Sequence, residues 1–183
     1  MIWRPEILDP AQPEEAARIA ALRLQARLFD QLLDQQKDLL ESRQPGRRFL
    51  PADFDAALPT VAAEGSRWIW YPWSGELVHL LPPALFRELR LDRNRHKITR
   101  EEQDRLHRGC VAVVGLSVGN AIATTMALEG VCGRLKLADM DSLSLSNLNR
   151  IRAKVSDLGL PKTILAARQI AEIDPYVEVE IFS

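Results

Sequence analysis

A short apolar run that ends on glycine constrains the fold of this chain more than any other feature. Residues 110–114 read Cys-Val-Ala-Val-Val, and Gly115 and Gly119 follow at the start of an apolar segment that ends at Gly130. Such a run is typical of a buried strand in a parallel sheet. Glycines at its end let the backbone turn sharply into a helix, whose free N-terminal amides attract phosphate. The pattern predicts a nucleotide site in an α/β fold, although a tight strand-to-helix turn alone also explains it.

A second strand and an acid follow at a spacing that suits ribose binding. Residues 134–138 are strand-like, and Asp139 comes 24 residues after Gly115. An acid near that offset at a strand end can accept hydrogen bonds from ribose hydroxyls, or it can simply cap the strand. Asp141 is placed to hold a cation or to orient the loop, and Ser117 can add a hydroxyl to the glycine turn. Together these residues predict a nucleoside site.

Two cations beyond the second strand favour ATP over a dinucleotide. The segment Ser-Asn-Leu-Asn-Arg at 146–150 puts Asn147 and Arg150 beside the acid, and Lys162 follows Pro161 in the first turn of a predicted helix. The bridging pyrophosphate of a dinucleotide does not need two cations at the N-terminus of a helix. A triphosphate that is attacked at its α-phosphorus needs these cations, because negative charge develops during the attack.

The N-terminal half predicts a separate α+β region of unknown role, residues 1–91. Apolar side chains at spacings of three and four predict one long helix over residues 13–43, which Pro45-Gly46 ends. Two β-prone runs, at 68–71 and 76–81, lie on either side of a turn that contains Pro and Gly. They predict a hairpin.

Residues 92–183 are expected to form the N-terminal half of a Rossmann-like nucleotide-binding domain. Thr99 and Glu102 have the spacing of a capping box at the start of a helix that Gly109 ends. The other predicted elements are strands at 110–114, 134–138 and 177–182 and helices that end at Gly130 and Ile173. Three parallel strands are too few to bury both faces of a doubly wound sheet. We therefore expect the chain to be part of a longer protein.

Composition and charge argue against several classes of protein. The net charge of -1 gives no general attraction to nucleic acid or to an anionic membrane. No apolar run approaches the ~20 residues that span a bilayer, and the N-terminus lacks a signal region, so a cytoplasmic location is expected. Cys110 and Cys132 have no metal-ligand spacing and are interpreted as small apolar residues in a reducing compartment. No metal ligands are predicted within the chain.

The order of these motifs resembles the ThiF/MoeB group of the ubiquitin-activating enzyme superfamily. The similarity covers residues 93–183 and is absent from the first 90 residues. It consists of an Arg-rich segment before the first strand, Val-Val-Gly, Ala-Asp-Met-Asp, Ser-Asn-Leu-Asn-Arg, Leu-Gly-Leu-Pro-Lys and Ile-Asp-Pro. The resemblance implies an adenylyltransferase that uses ATP to activate the C-terminal carboxylate of a small carrier protein, or a carboxylate or amide of another substrate.

The resemblance also implies a role for each matching residue. Asp139 would bind the ribose, Arg150 and Lys162 the phosphates, and Asn147 would support the same loop. Arg95 matches an arginine finger that often enters the neighbouring subunit's site, which implies a homodimer. The implied catalytic residues are Arg95, Arg150 and Lys162, and the implied nucleotide-binding residues are Gly115, Ser117, Gly119, Asp139, Asp141, Asn147, Arg150 and Lys162.

The chain departs from the family pattern in its glycine loop and after its motif arginine. Ser117 and Val118 replace glycines in a loop one residue shorter, and Ile151 stands where Gln usually follows. ATP and Mg²⁺ are the expected cofactors, with the main Mg²⁺ ligand outside this chain. The chain alone is then expected to be inactive, and whether it belongs to an enzyme stays open. The alternatives are an NAD- or FAD-binding redox module and a non-catalytic nucleotide-binding interaction scaffold.

Overall fold

A computed structural model describes residues 1–182, which form two compact units. One unit comprises residues 1–4 and the chain from Arg95 onward, and the other comprises Pro5–Asn94. Across the described residues, no helix is both long enough and apolar enough to cross a membrane.

The unit Pro5–Asn94 combines a four-stranded sheet with four α-helices. Its strands are β1 (Glu6–Leu8), β2 (Arg27–Asp30), β3 (Arg67–Tyr71) and β4 (Glu76–Leu80), and its helices are α1 (Pro13–Arg23), α2 (Leu32–Arg43), α3 (Pro51–Ala62) and α4 (Pro83–Arg90). The strand order is β1-β3-β4-β2. Strands β3 and β4 are antiparallel neighbours, which confirms the predicted hairpin.

The single helix predicted over residues 13–43 is wrong. Strand β2 interrupts it and pairs in parallel with β4, where Leu28 lies opposite Leu77 and Phe29 opposite Val78. The apolar spacing continues through Leu28 and Phe29, but each is 41% exposed on an edge strand and does not contribute to a helical core. A helical period in the sequence cannot reveal this pairing, because its hydrogen bonds go to residues about 50 positions away.

The second unit has the βαβαβ order that the sequence predicts. Its elements are helix α5 (Arg100–His107), strand β5 (Cys110–Val114), helix α6 (Leu116–Glu129), strand β6 (Arg134–Ala138), helix α7 (Lys162–Ile173) and strand β7 (Glu178–Phe182). The three strands are parallel and lie in the order β5-β6-β7. The α/β class and the Rossmann-like parallel sheet are thereby confirmed.

Local signals at the helix ends behave as expected. Glu102 N donates to Thr99 Oγ1 at 3.2 Å, and Thr99 N donates to Glu102 Oε2 at 2.8 Å, so the capping box of α5 is formed. Gly130 has a φ of +63° and ends α6 in the left-handed region that glycine tolerates.

Helices α6 and α7 pack on one face of the parallel sheet and bury its core. Leu135 and Leu137 of β6 and Ile170 of α7 are 0% exposed. Strand β5 is less buried than the sequence predicts, because it lies at an edge of the described sheet. Only Val113 of β5 is buried, whereas Val114 is 81% exposed. The carboxyl ends of β5 and β6 meet at one edge of the sheet, where the predicted site residues begin.

Candidate functional site

Gly115 forms the turn between β5 and α6. Its amide donates to Ala138 O at 2.8 Å, which ties the turn to the end of β6. Its φ of +84° lies in a region that side chains with a Cβ rarely adopt, and no atom lies within 4 Å of the position that a Cβ would occupy. The backbone conformation, and not a lack of space, therefore explains glycine at this position.

Gly119 has a different role, which is to let α6 lie close to β5. A Cβ at Gly119 would come within 2.6 Å of Val113 Cγ1, a distance that real Cβ contacts do not show. The first turn of α6 therefore packs directly on the strand, as it does in nucleotide-binding folds with a glycine at the helix–strand contact.

Asp139 follows β6 and binds the turn between β5 and α6. Its Oδ2 accepts a hydrogen bond from Leu116 N, the first amide of α6, at 2.6 Å, and its Oδ1 accepts one from Asp141 N at 2.8 Å. The side chain is 8% exposed. A carboxylate has about four acceptor sites, so these two bonds leave capacity for further donors such as hydroxyls.

Lys162, the first residue of α7, points at the same turn. Its Nζ lies 2.7 Å from Asp141 Oδ2, 3.3 Å from Ser117 Oγ and 3.9 Å from Asp139 Oδ1, and its side chain is 4% exposed. Three predicted site residues thus surround the buried ammonium group of a fourth, Lys162. We call Ser117, Asp139, Asp141 and Lys162 the Lys162 cluster.

The loop after β6 fixes where α7 begins. Lys162 N donates to Asp141 O at 3.0 Å, and Leu143 N donates to Leu160 O at 2.8 Å. Gly159 N returns a bond to Leu143 O at 2.9 Å. These backbone bonds hold the two ends of the loop together and place the Lys162 side chain against the glycine turn.

Asn147 lies within that loop and stabilises it. It is 8% exposed, and its Oδ1 accepts a hydrogen bond from Ser144 N at 3.0 Å. This bond caps the short 3₁₀ turn Leu145–Asn147. The observed contact is internal to the loop.

Arg150 is not part of the Lys162 cluster. It is exposed, and its guanidinium donates to Asn149 Oδ1 at 2.9 Å and to Ser146 O at 3.3 Å. Arg150 instead lines a cavity of about 490 Å³ beside α6 and α7. Among the described residues it forms no hydrogen bond or ion pair with any member of the Lys162 cluster.

Arg95 also lies apart from the cluster. It is exposed in the 3₁₀ turn Asp92–His96, just before α5. The hydrogen bonds and ion pairs of the Lys162 cluster within residues 1–182 do not include it. The chain therefore brings together the glycine turn, the acids and the lysine, but neither of the two predicted arginines.

Asn120 and Gln169 were not predicted as site residues. Asn120 Nδ2 donates to Gln169 Oε1 at 3.0 Å, which links α6 to α7 at the wall of the Arg150 cavity. Asn120 is 5% exposed. The sequence feature that could have indicated Asn120 is its polar side chain directly after Gly119, at a helix position that the apolar periodicity assigns to the core.

A sequence model of the ThiF family matches residues 91–183. The "Uncharacterized protein MT1398" of Mycobacterium tuberculosis (strain CDC 1551 / Oshkosh) is 53% identical over 135 residues, which is 74% of this chain and 18% of that protein. The tRNA threonylcarbamoyladenosine dehydratase of Bacillus subtilis (strain 168) is 39% identical over 48% of this chain and 35% of its own length.

Two further matches extend the comparison. The sulfur carrier protein adenylyltransferase of Thermus thermophilus is 34% identical over 45% of this chain and 31% of its own length. A solved structure named "TcdA (CsdL)" superposes with a TM-score of 0.50 and 27% identity, over 56% of this chain and 40% of that one. The chain thus spans about a third or less of the length of the three relatives from Mycobacterium, Bacillus and Thermus.

Proposed function

Because this chain belongs to the ThiF family, we propose that it is the N-terminal, nucleotide-binding part of an ATP-dependent adenylyltransferase. The reaction would join a substrate carboxylate to the α-phosphorus of ATP and release pyrophosphate. The observation that carries the proposal is the Lys162 ammonium, which lies 3.3 Å from Ser117 of the glycine turn and 3.9 Å from the acid Asp139. A nucleoside triphosphate needs this combination of a turn, an acid and a cation.

Each member of the Lys162 cluster would have a defined task. Asp139 would accept hydrogen bonds from the ribose hydroxyls with its unused acceptor sites. Lys162 would bind a phosphate in place of Asp141, whose side chain is 73% exposed and can turn to solvent. As the carboxylate oxygen bonds to the α-phosphorus, the bond from phosphorus to the leaving oxygen breaks. Lys162 would then stabilise the negative charge on the pyrophosphate.

Arg150 would supply a second cation from the loop. Its guanidinium bonds two neutral acceptors, Ser146 O and Asn149 Oδ1, and no carboxylate of the described residues pairs with it. Its charge is therefore available to a phosphate that reaches across the loop. Arg95 would act from the partner subunit of a homodimer, because it is exposed and outside the Lys162 cluster of its own chain.

The described residues do not by themselves fit a Mg²⁺ site. No group of three or more side chains of the metal-binding types lies together within residues 1–182. Asp141 has the oxygen donors that Mg²⁺ prefers, but its Oδ2 is paired with Lys162 at 2.7 Å. We therefore assign no step of the reaction to the metal.

The acceptor is proposed to be a carboxylate at the C-terminus of a small carrier protein. Support comes from the name of the Thermus relative, a sulfur carrier protein adenylyltransferase. The Bacillus relative is named for a different substrate, as a tRNA threonylcarbamoyladenosine dehydratase.

A second candidate is a scaffold that binds a nucleotide without catalysis. It is favoured by the internal pairing of Lys162, whose ammonium already has Asp141, Ser117 and Asp139 as neighbours and is nearly inaccessible to solvent. A lysine that only supports the fold would have the same surroundings.

Thermal unfolding with ATP, NAD or FAD separates these functions. A ligand at ~100 times its dissociation constant stabilises a folded protein by roughly 2.7 kcal/mol. We expect stabilisation by ATP alone, and we expect Lys162→Ala to remove it. Lys154→Ala is the matched control, because Lys154 is an exposed lysine outside the Lys162 cluster. Stabilisation by NAD or FAD would replace the proposal with a redox module.

Exchange of labelled pyrophosphate into ATP then separates an enzyme from a scaffold. The assay uses the longest natural protein that contains this chain, together with a carrier-protein acceptor. Exchange that depends on Lys162 and on the acceptor supports adenylation. ATP binding without exchange would leave the scaffold as the function.

A further inference from the structure

The cavity beside α6 and α7 contains no member of the Lys162 cluster. Its volume is about 490 Å³, and its polar lining residues include Asn120, Arg150, Arg152, Gln169 and Glu172. Cavities of roughly 300–1,000 Å³ commonly hold small molecules. It is therefore large enough to be a second binding site.

Asn120 carries an acceptor that the protein leaves unused. Its Oδ1 is buried and has no hydrogen-bond partner among the described residues. Its Nδ2 is bonded to Gln169 Oε1, and Gln169 Nε2 in turn donates to Arg152 O, so Gln169 is held in the orientation that offers no donor to Asn120 Oδ1. A buried acceptor without a hydrogen bond destabilises the folded protein. A ligand with a donor group would remove that destabilisation.

The charges at the cavity wall favour the binding of an anion. Two arginines, Arg150 and Arg152, line it together with a single acid, Glu172. The Arg152 side chain forms no hydrogen bond or ion pair within residues 1–182, and Arg150 bonds only neutral acceptors. Guanidinium groups bind carboxylates and phosphates through paired hydrogen bonds. The wall therefore offers two guanidinium groups that form no ion pair with a carboxylate of the described residues.

We propose that this cavity is a binding site for a small organic anion that also carries an ammonium or amide N–H donor. The anionic group binds Arg150 and Arg152, and the donor binds Asn120 Oδ1. An acidic amino acid has both groups, and a phosphorylated amino acid offers the same pair with a phosphate. The site is distinct from the Lys162 cluster and goes beyond the proposed adenylation.

Isothermal titration calorimetry of the purified protein tests the site with three probes. L-Glutamate carries carboxylates and an ammonium group, glutarate carries the same carboxylates without the ammonium, and O-phospho-L-serine carries a phosphate and an ammonium. We expect L-glutamate and O-phospho-L-serine to bind, and L-glutamate to bind more tightly than glutarate. The stronger of the two amino-acid probes identifies the preferred anion. Absence of heat with all three would overturn the proposal.

Two variants connect the binding to the named residues. Arg152→Ala should weaken binding about tenfold to 100-fold, as expected for the loss of a charge-assisted hydrogen bond. Arg152→Glu should abolish it, and because Arg152 is exposed this variant is expected to fold. Asn120→Leu should remove the preference for glutamate over glutarate. Binding that survives Arg152→Glu, or equal affinity for glutamate and glutarate, would contradict the assignment.

Lys162→Ala distinguishes this site from the proposed nucleotide site. We expect this variant to lose stabilisation by ATP and to bind L-glutamate or O-phospho-L-serine as the unsubstituted protein does. The variants that test the cavity change Arg152 and Asn120, and not Arg150, because Arg150 has a role in both proposals. Thermal unfolding of each variant without ligand confirms that it is folded.

Discussion

The Lys162 ammonium is 2.7 Å from the Asp141 carboxylate, although the lysine side chain is 4% exposed and that of the aspartate 73% exposed. The pair joins the buried first residue of α7 to an acid at the surface. Such an acid can leave the ammonium without entering an apolar environment. In the nucleotide complex that we propose, a phosphate would replace Asp141 beside Lys162.

Asp141→Asn is expected to weaken the fold and to strengthen ATP binding. Loss of the charge-assisted hydrogen bond should reduce the free energy of unfolding by about 1.5–3 kcal/mol, because only Asp139, at 3.9 Å, then balances the buried ammonium. A phosphate that replaces the carboxylate should recover this loss. Urea unfolding with and without ATP measures both effects. Unchanged stability together with unchanged ATP affinity would show that Asp141 does not compete for Lys162.

Gly119→Ala is expected to destabilise the protein by about 1–3 kcal/mol, because the new methyl group would overlap Val113 Cγ1. Urea unfolding measures the change. The control is the same substitution combined with Val113→Ala, which removes the overlapping atom. The double variant should therefore be more stable than the sum of the two single effects. Strict additivity would mean that α6 does not rest on Val113.

Asn147→Ala is expected to lower the free energy of unfolding by about 1 kcal/mol through loss of the cap on Ser144 N. Asn149→Ala is the matched control, since Asn149 is exposed and should change stability by less than about 0.5 kcal/mol. Thermal unfolding with and without ATP provides the measurement. If Asn147→Ala left the melting temperature unchanged but removed stabilisation by ATP, Asn147 would be a direct nucleotide ligand.

Burial is the main cause that raises the pKa of the Cys132 thiol, and Cys110 raises it further. The folded state therefore favours the neutral thiol. This contribution to stability is complete below the ordinary thiol pKa of about 8.5 and is lost as the pH rises through the higher pKa of the folded state. Urea unfolding between neutral and alkaline pH should show a smaller alkaline loss for Cys132→Ala. An identical pH profile would mean that Cys132 does not contribute to it.

The sequence was most informative in the second unit. Strands 110–114 and 134–138 match β5 and β6 residue for residue, and the third strand begins one residue later than predicted. These elements are specified locally, by β-branched runs, glycine turns and helix caps. The first unit depends on distant pairing, and there the helix predicted over residues 13–43 contains a strand. Periodicity alone cannot report a partner strand about 50 residues away.

The sequence predicted the residues of the candidate site better than the contacts between them. The glycine turn and Asp139 were expected at the ends of β5 and β6, and Lys162 in the first turn of the following helix. The structure brings the three together. The sequence could not show that Asp139 binds the first amide of α6, because this contact depends on the register of β5 and β6. It also could not show that Asp141 pairs with Lys162, because that contact depends on the path of the 139–161 loop. The same loop places Arg150 beside a cavity that also depends on residues of α7.

The contact between Gly119 and Val113 has a consequence for relatives of this protein. Side chains at positions 113 and 119 would occupy the same space, since a Cβ at 119 would lie 2.6 Å from Val113 Cγ1. In an aligned set of family sequences, a larger residue at 119 should therefore occur with a smaller one at 113. The two positions should co-vary even where the nucleotide site has been lost, because their coupling comes from packing and not from catalysis.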